Sequence, residues 1–313
     1  GTNTTHTITM SDSDPIPSVG FSNADATGSV QTVIEADVGG IAGSYSIEVV
    51  LNYKSYQATT VTYAVNASST AEKGSDQATA EAGDDYTLSG SGTLTFAVGD
   101  TLETIDFSIV DDNTDEYDEE VIIDLTAGSN CTVGAIGQLV ITIEDDDLPP
   151  VVRFTATTSA GTEGDPTTTV EVTLTPASGK VVIVPYAINP NSSTTNEGTS
   201  ADHNLAPGDI TIAVGSTTGN FTFDILQDGI YEKEDTLIID LEETQEDPVG
   251  EKLADLGLAS FVKHLFYITN ADNAPSVAFF DADTFVTETN ADFNASFKVQ
   301  LSALSDVDAK VYI

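Results

Sequence analysis

An internal repeat restricts the fold of this 313-residue chain more than any other feature. Residues 92–125, GTLTFAVGDTLETIDFSIVDDNTDEYDEEVIIDL, align without a gap to residues 208–241, GDITIAVGSTTGNFTFDILQDGIYEKEDTLIIDL. The same folding unit therefore occurs at least twice along the chain. The positions that we expect in the core coincide, with one glycine pair among them: Leu94 and Ile210, Phe96 and Ile212, Val98 and Val214, Gly99 and Gly215, Phe107 and Phe223, and Ile109 and Ile225.

Short alternating runs indicate that each unit is built from β-strands. SYSIEVVLNY, TVTYAV, GTLTFAV, TIDFSIV, EVIIDL and QLVITIE are rich in Val, Ile, Thr, Phe and Tyr, and clusters of Gly, Asn, Asp and Ser separate them. About seven strands between residues 17 and 147 predict an antiparallel, immunoglobulin-like β-sandwich. Residues 250–269, GEKLADLGLASFVKHLFYIT, fit either a helical turn or a loop that leads into a last strand, and we favour the loop.

A recurring strand ending predicts the domain boundaries. ITMSDSDPIPSVGF, ITIEDDDLPPVVRF and ITNADNAPSVAF align on a proline, which places Asp14, Asp147 and Asp272 at one position. We therefore predict domains at 15–147 and 148–272 in a linear array. Residues 1–14 are predicted to be the last strand of a preceding repeat, and residues 273–313 the first strands of a following, truncated repeat.

The charge of the chain argues for a cation as partner. There are 51 Asp and Glu against 9 Lys and Arg, a formal net charge of -42, which argues against nucleic acid and against an anionic membrane surface. Acidic residues scattered over the surface can be explained by the solubility of a secreted or salt-adapted protein. Solubility does not explain why acidic residues cluster at the ends of strands. No apolar run approaches the length of a membrane span, and Cys131 is the single cysteine, so no intrachain disulfide can form.

Three acidic loops in each domain are candidate calcium ligands, because calcium takes six to eight oxygen ligands from loops. Taken alone, an acidic loop of this kind is more often a solvated turn than a metal site. In the first domain the candidates are Asp111, Asp112, Glu116 and Glu119 after the hairpin, Asp85 in GDDYT, and the triplet Asp145, Asp146 and Asp147. In the second domain the repeat alignment gives Asp228, Glu232 and Asp235, with Gln227 at the position of Asp111.

The order of these motifs resembles the Calx-β domain, the calcium-binding sandwich of sodium/calcium exchangers, integrin β4 and long bacterial surface proteins. The shared elements are a glutamate, VTYAV, GDDYT, GTLTFAVGDTLETIDFSIVDDN, EEVIIDL and ITIEDDD. The resemblance implies that Glu35 joins the first site, and that Glu163, Asp202 and Asp272 take the places of Glu35, Asp85 and Asp147 in the second. The second domain departs from the pattern at Asp202-His203, where Asp-Tyr is usual, and at ITNADN. A cadherin-like repeat is the alternative suggested by NADNAPSVAF, but the GTLTFAVGD hairpin argues against it.

The sequence predicts a binding module rather than an enzyme. His6, His203 and His264 share no motif with a serine or with Cys131, and we expect them at the surface or in turns. We also expect Asp281, Asp283, Asp306 and Asp308 to be turn residues. The predicted function is a calcium-stiffened repeat of a secreted or cell-surface rod, fibre or adhesin stalk, whose partners are calcium ions, neighbouring repeats and copies of the same chain, without direct membrane contact. A calcium-sensing regulatory module attached to a membrane protein is the alternative.

Overall fold

The computed structural model describes residues 1, 4–11, 13–22, 30–35, 43–74, 84–88, 92–194, 201–248, 250–281, 285, 287–288, 292 and 296–312. The chain divides into two compact units, Gly1–Leu148 (unit 1) and Pro149–Ile313 (unit 2). All regular elements among the described residues are strands, which confirms the predicted all-β fold class. The described part of the chain contains no helix that is long and apolar enough to cross a membrane.

Unit 1 is a sandwich of two five-stranded sheets, whose orders are β5-β7-β3-β1-β9 and β2-β10-β8-β4-β6. The strands are β1 (Ser18–Phe21), β2 (Val30–Ile34), β3 (Ser44–Leu51), β4 (Thr59–Val65), β5 (Tyr86–Leu88), β6 (Thr93–Phe96), β7 (Leu102–Ile109), β8 (Glu119–Ala127), β9 (Thr132–Val133) and β10 (Gln138–Glu144). Most neighbours are antiparallel, but β1 pairs with β9 and β2 pairs with β10 in parallel.

Unit 2 repeats this topology with the sheet orders β16-β13-β11-β19 and β12-β20-β18-β14-β15. The strands are β11 (Val151–Phe154), β12 (Thr158–Thr162), β13 (Thr168–Thr175), β14 (Val182–Ile188), β15 (Gly208–Ile212), β16 (Thr218–Phe223), β17 (Ile230–Tyr231), β18 (Asp235–Leu241), β19 (Asp255–Leu256) and β20 (Lys263–Thr269). Residues 250–269 thus form a loop with a short strand that leads into β20, as we favoured.

The repeated positions are buried in both cores except at the turns between β6 and β7 and between β15 and β16. We expected a hairpin here, but the two strands that flank each turn belong to different sheets. Phe96 and Phe107 of unit 1 and Phe223 of unit 2 pack in the two hydrophobic clusters. Val98 and Val214 were expected in the core, but they are 60% and 57% exposed. They lie in the turn after β6 and after β15, beside Gly99 and Gly215, whose φ angles of 89° and 70° fit the left-handed region that glycine adopts without strain.

Two histidines that we expected at the surface are buried in unit 2. His203 is 0% exposed and His264 is 2% exposed, whereas His6 is exposed. His264 lies in β20 at the register position of the core residue Leu139 of unit 1. His203 lies outside the strands, at an isolated bridge to Ile225 that corresponds to the pairing of the core residue Tyr86 with Ile109. Residue type alone does not predict burial of a histidine, because histidines are found both in cores and at surfaces.

Residues beyond 272 form β21 (Val277–Phe279), β22 (Val299–Leu301) and β23 (Leu304–Ser305). β21 pairs with β22, and β23 pairs in parallel with β17. Asp281 and Asp306 lie at bends, whereas Asp283 lies outside the described residues. The described residues among 4–14 contain no strand, so the expectation for residues 1–14 stays a prediction.

Candidate metal centre

The topology brings the acidic segments of unit 1 to one end of the sandwich. Glu35 follows β2 and the triplet Asp145–Asp147 follows β10, and these strands run in parallel. The backbone N–H of Glu35 donates a 3.0 Å hydrogen bond to the Glu144 carbonyl, which fixes the two strand ends side by side. Because β8 is antiparallel to β10, Glu119 at the start of β8 lies at the same end. The loop after β7 completes this end of the unit.

Hydrogen bonds connect these segments to one another. The N–H of Glu116 donates to an Asp145 carboxylate oxygen at 3.2 Å, and the N–H of Asp145 donates to Asp118 at 3.3 Å. Within the loop after β7, the N–H of Thr114 donates to Asp112 at 2.6 Å. The loop is thereby shaped by the same carboxylates that could bind a cation.

Electrostatics show that the unit 1 carboxylates face each other. Burial raises the pKa of Glu35 to about 8, and the negative charges of Asp112, Asp145, Asp85 and Glu116 add to the shift. A carboxyl group with so high a pKa is costly to ionise where it lies, because charged neighbours repel it and solvent is partly excluded.

The other glutamates of unit 1 behave in the same way. Burial raises the pKa of Glu116 to about 7, and Asp85 is the strongest charged contributor. Burial and a hydrogen bond with the Asp85 side chain raise the pKa of Glu119 to about 8. The Oε2 atom of Glu119 is buried without a hydrogen-bond partner. A cation at this place would supply the missing partner.

The exit triplet belongs to the same group of charges. Burial raises the pKa of Asp147, and Asp112, Asp146 and Asp111 raise it further. Asp145 accepts the hydrogen bond from the Glu116 N–H. The structure therefore groups all nine sequence-predicted residues of unit 1 at one end: Glu35, Asp85, Asp111, Asp112, Glu116, Glu119, Asp145, Asp146 and Asp147.

In unit 2 the carboxylates form two sets of three. Glu163, Asp228 and Glu232 offer oxygens that all lie within 4.8 Å of one another, and so do Asp202, Glu232 and Asp235. Glu232 belongs to both sets. A carboxylate that belongs to two such sets can bridge two neighbouring cations, since it carries two oxygens.

The pKa shifts in unit 2 agree with this geometry. Burial raises the pKa of Glu232 to about 7, and the charges of Asp202, Asp228 and Asp235 contribute. Burial raises the pKa of Glu163, which the hydrogen bond from the Ala271 N–H lowers in part. These shifts link both sets of carboxylates in unit 2.

Asp272 adjoins the same group of unit 2 through its effect on Glu163 and a contact with Gln227. The charge of Asp272 raises the pKa of Glu163. The Gln227 side-chain amide donates to Asp272 at 3.5 Å, so its nitrogen rather than its oxygen makes this contact. Buried oxygens of Asp228 and Asp272 lack a hydrogen-bond partner.

Sequence reasoning missed several polar residues at these ends. Glu72 donates its N–H to the Asp85 carboxylate and raises the pKa of Glu119, and Asp118 accepts from the Asp145 N–H. No repeat or motif marked Glu72, whereas Asp118 lies within the repeat, which aligns it with Glu234, and could have been included. Asn270 could have been found, since the recurring strand ending aligns it with Asp145. Its side-chain amide donates to the Glu232 carbonyl at 2.8 Å, which joins the same two segments as the Glu116–Asp145 bond of unit 1.

Comparison with known proteins identifies the family. The model of the Calx-beta domain matches residues 12–147 and 145–260. The chain belongs to the Calx-beta domain family. Among solved structures, CBD12 from CALX1.2 is similar at 19% identity with a TM-score of 0.32, over 80% of this chain and 99% of that one. The apo-form Calx CBD1 domain has 22% identity and a TM-score of 0.31, over 42% and 100%. No curated protein matches.

The donor set of the two Calx-beta units suits a hard cation. The described candidates offer carboxylate oxygens, which calcium and magnesium prefer, whereas zinc and copper sites usually contain imidazole or thiolate ligands. The unpartnered buried oxygens of Glu119, Asp228 and Asp272 fit ligand atoms. The clustered carboxylates also favour calcium over magnesium, because magnesium usually retains several waters and takes only one or two carboxylates.

Proposed function

We propose that this chain is a calcium-binding tandem module in which each Calx-beta unit holds calcium at its acidic end. The observation that carries the proposal is the sharing of Glu232 between two sets of three carboxylates whose oxygens lie within 4.8 Å. The proposed ligands of unit 2 are Glu163, Asp202, Asp228, Glu232, Asp235 and Asp272. Those of unit 1 are the nine residues at its acidic end.

Calcium relieves a cost that is built into the metal-free protein. Burial and the neighbouring charges raise the pKa of Glu35 and Glu119 to about 8 and that of Glu116 to about 7, so ionising these three glutamates is costly near neutral pH. Calcium replaces their protons and turns mutual repulsion into common attraction. Six or more carboxylates exceed the needs of one ion, since each calcium takes six to eight oxygens and some come from backbone and water. Each unit therefore binds more than one ion.

We further propose a mechanical role for the calcium of unit 1. Asp145–Asp147 immediately precede Leu148, Pro149 and Pro150. Coordination fixes the triplet, and the prolines restrict the backbone that comes after it to extended conformations. Calcium thus stiffens the link between consecutive repeats. This role suits a secreted or cell-surface rod, fibre or adhesin stalk, and it requires no catalytic residue.

The hairpin of β21 and β22 supports an array of repeats. Its residue pairing repeats the first strand pair of both complete units: Val277 with Leu301, as Val19 with Leu51 and Val152 with Leu174. Phe279 and Val299 are 61% and 50% exposed, whereas their equivalents Phe21 and Val49 are 2% and 0% exposed. We propose that residues 273–313 begin a third Calx-beta unit, because only a second sheet would bury this face.

Small-angle X-ray scattering of the whole chain tests the mechanical role. We expect a larger maximum dimension and less flexibility in millimolar calcium than in EDTA. The triple change of Asp145, Asp146 and Asp147 to Asn should remove the difference, and Asp281→Asn, in an exposed bend, should keep it. Suppose instead that the protein binds calcium in a calorimetric titration but scatters identically in calcium and in EDTA. This result would exclude the stiffened rod and favour the alternative, a calcium-sensing regulatory module.

A further inference from the structure

His264, the second residue of β20, lies in the core of unit 2 with both ring nitrogens satisfied. Its Nδ1 lies 2.7 Å from the Ala156 carbonyl oxygen, and its Nε2 lies 2.7 Å from the Ser159 hydroxyl. A carbonyl only accepts, so Nδ1 carries the proton and Nε2 accepts from Ser159. The neutral ring therefore satisfies both partners as they stand, and a second proton on Nε2 would require the Ser159 hydroxyl to reverse its role and accept.

Apart from the Ala156 carbonyl, the described surroundings of the ring are apolar or uncharged. Phe154 packs on it from β11 at 5.3 Å between ring centroids, and Phe266 of its own strand lies at 6.5 Å. Ser159 faces it from β12, and Ile239 lies opposite on β18. Burial lowers the pKa of His264, and among the described residues the Ala156 carbonyl alone opposes this shift.

The charged residues nearest in sequence and register have other partners. Lys263 forms a 2.5 Å ion pair with Asp240 of β18, and the guanidinium of Arg153 lies over the ring of Phe261. His203, the other buried histidine, is separated from His264 by Phe223 and Phe266, through edge-on and tilted ring contacts. His203 adjoins Asp202, a proposed ligand, so its titration would be linked to the metal site, and His264 is the buried histidine that lies apart from the ligands.

Unit 1 contains an internal control for this residue. Leu139 pairs with Ile123, and His264 pairs with Ile239, which the repeat aligns with Ile123. The leucine is 0% exposed. One unit therefore has an apolar side chain where the other has a titratable one, at the same place in the same fold.

We propose that the His264–Ser159 pair makes unit 2 open selectively in mild acid, while unit 1 stays folded. Protonation places a positive charge among Phe154, Phe266 and Ile239. It also adds a second ring N–H that faces Ser159, so the hydroxyl hydrogen of Ser159 must rotate away before its oxygen can accept this bond. In the open state the ring is in water and binds this proton with the ordinary histidine pKa of 6.5. The histidine thus stabilises unit 2 above pH 6.5, and this contribution is lost as the pH falls below that value.

Hydrogen exchange of the whole chain in EDTA, corrected for the intrinsic pH dependence of exchange, tests this inference. Below pH 6.5, protonation of His264 should raise the opening constant of peptides from β18–β20 by up to about tenfold for each pH unit, the limit for one linked proton, measured as the ratio of the original chain to a chain without this histidine. The ratio removes the opposite contribution of Glu232, whose raised pKa favours the folded unit in acid. Peptides from β8–β10 should not show this growth. EDTA separates this test from the calcium proposal, because no metal is bound in either arm.

Two variants make the test specific to His264. His264→Leu installs the residue of unit 1, and His264→Asn keeps a side-chain N–H for the Ala156 carbonyl without titrating, in case the leucine variant fails to fold. Each folded variant should reduce the acid-induced opening of β18–β20 towards the level of β8–β10, leaving only what His203 contributes. Unchanged acid dependence in a folded variant, or equal opening of both units in the original chain, would overturn the proposal.

Discussion

The backbone N–H of Glu116 donates a hydrogen bond of 3.2 Å to a carboxylate oxygen of Asp145, which joins the loop after β7 to the strand ending of unit 1. In unit 2 the amide of Asn270 reaches the carbonyl of Glu232, so the same two segments are joined with donor and acceptor exchanged. The metal-free chain therefore already holds its candidate ligands together. A cation has only to replace protons and water, which lowers the entropic cost of binding.

Removing one central charge should weaken calcium binding in unit 1. Asp112 raises the pKa of both Glu35 and Asp147, so its charge acts on both the β2 end and the exit triplet. We expect Asp112→Asn to weaken calcium binding by roughly tenfold or more, because it removes a charged ligand. Isothermal titration calorimetry measures the effect. Asp281→Asn is the control, and equal affinities of the two variants would show that the loop assignment is wrong.

Glu232 should matter more than its neighbours in unit 2. Because it belongs to both sets of carboxylates, Glu232→Gln should weaken both calcium sites, whereas Asp235→Asn should weaken only the set with Asp202. Calcium stoichiometry and the calcium-dependent rise of the melting temperature of unit 2 report the difference. Glu234→Gln changes an exposed neighbour and should have no effect. The same loss from Glu234→Gln as from Glu232→Gln would mean that net charge, rather than a site, attracts calcium.

The metal-free protein should respond to pH through the raised pKa values of Glu35 and Glu119, both about 8 against an ordinary 4.5. The folded state binds these protons more tightly than the unfolded state does. Their stabilising contribution is complete below about pH 4.5 and is lost as the pH rises through about 8. Calcium affinity should rise over the same interval, because binding releases protons.

Thermal unfolding in EDTA between about pH 5.5 and 8.5 checks this response. The transition of unit 1 should move to lower temperature as the pH rises, and Glu119→Gln should make the change smaller. Glu120→Gln, at the exposed next position, is the matched control. A melting temperature of unit 1 that rises with pH in EDTA would contradict the clustering of these carboxylates.

The repeat and the strand periodicity were sufficient to predict the fold class and the grouping of the acidic loops. The alternation of apolar and polar residues predicts which face of a strand is buried, and Phe96, Phe107 and Phe223 do lie in the cores. Val98 and Val214 were wrongly assigned to the core because residue type alone does not distinguish a valine in a turn from one in a strand. The glycine that follows each of them was the better indication of a turn.

Contacts between distant segments could not be read from the sequence. His264 meets Ser159 and Ala156 across more than a hundred residues, and the sequence shows no motif that joins them. The role of Glu232 in two sets of carboxylates also depends on distances between loops. Glu72 approaches the site of unit 1 from a segment without a repeated pattern, so only the fold reveals it.

Calorimetric titration of the whole chain with calcium near neutral pH tests the central claim most directly. The account predicts saturable binding of at least two calcium ions per unit, and therefore at least about four per chain, together with a melting temperature that rises with calcium concentration. Absence of binding heat together with an unchanged melting temperature in millimolar calcium would contradict the claim that the acidic ends of the two units are calcium sites.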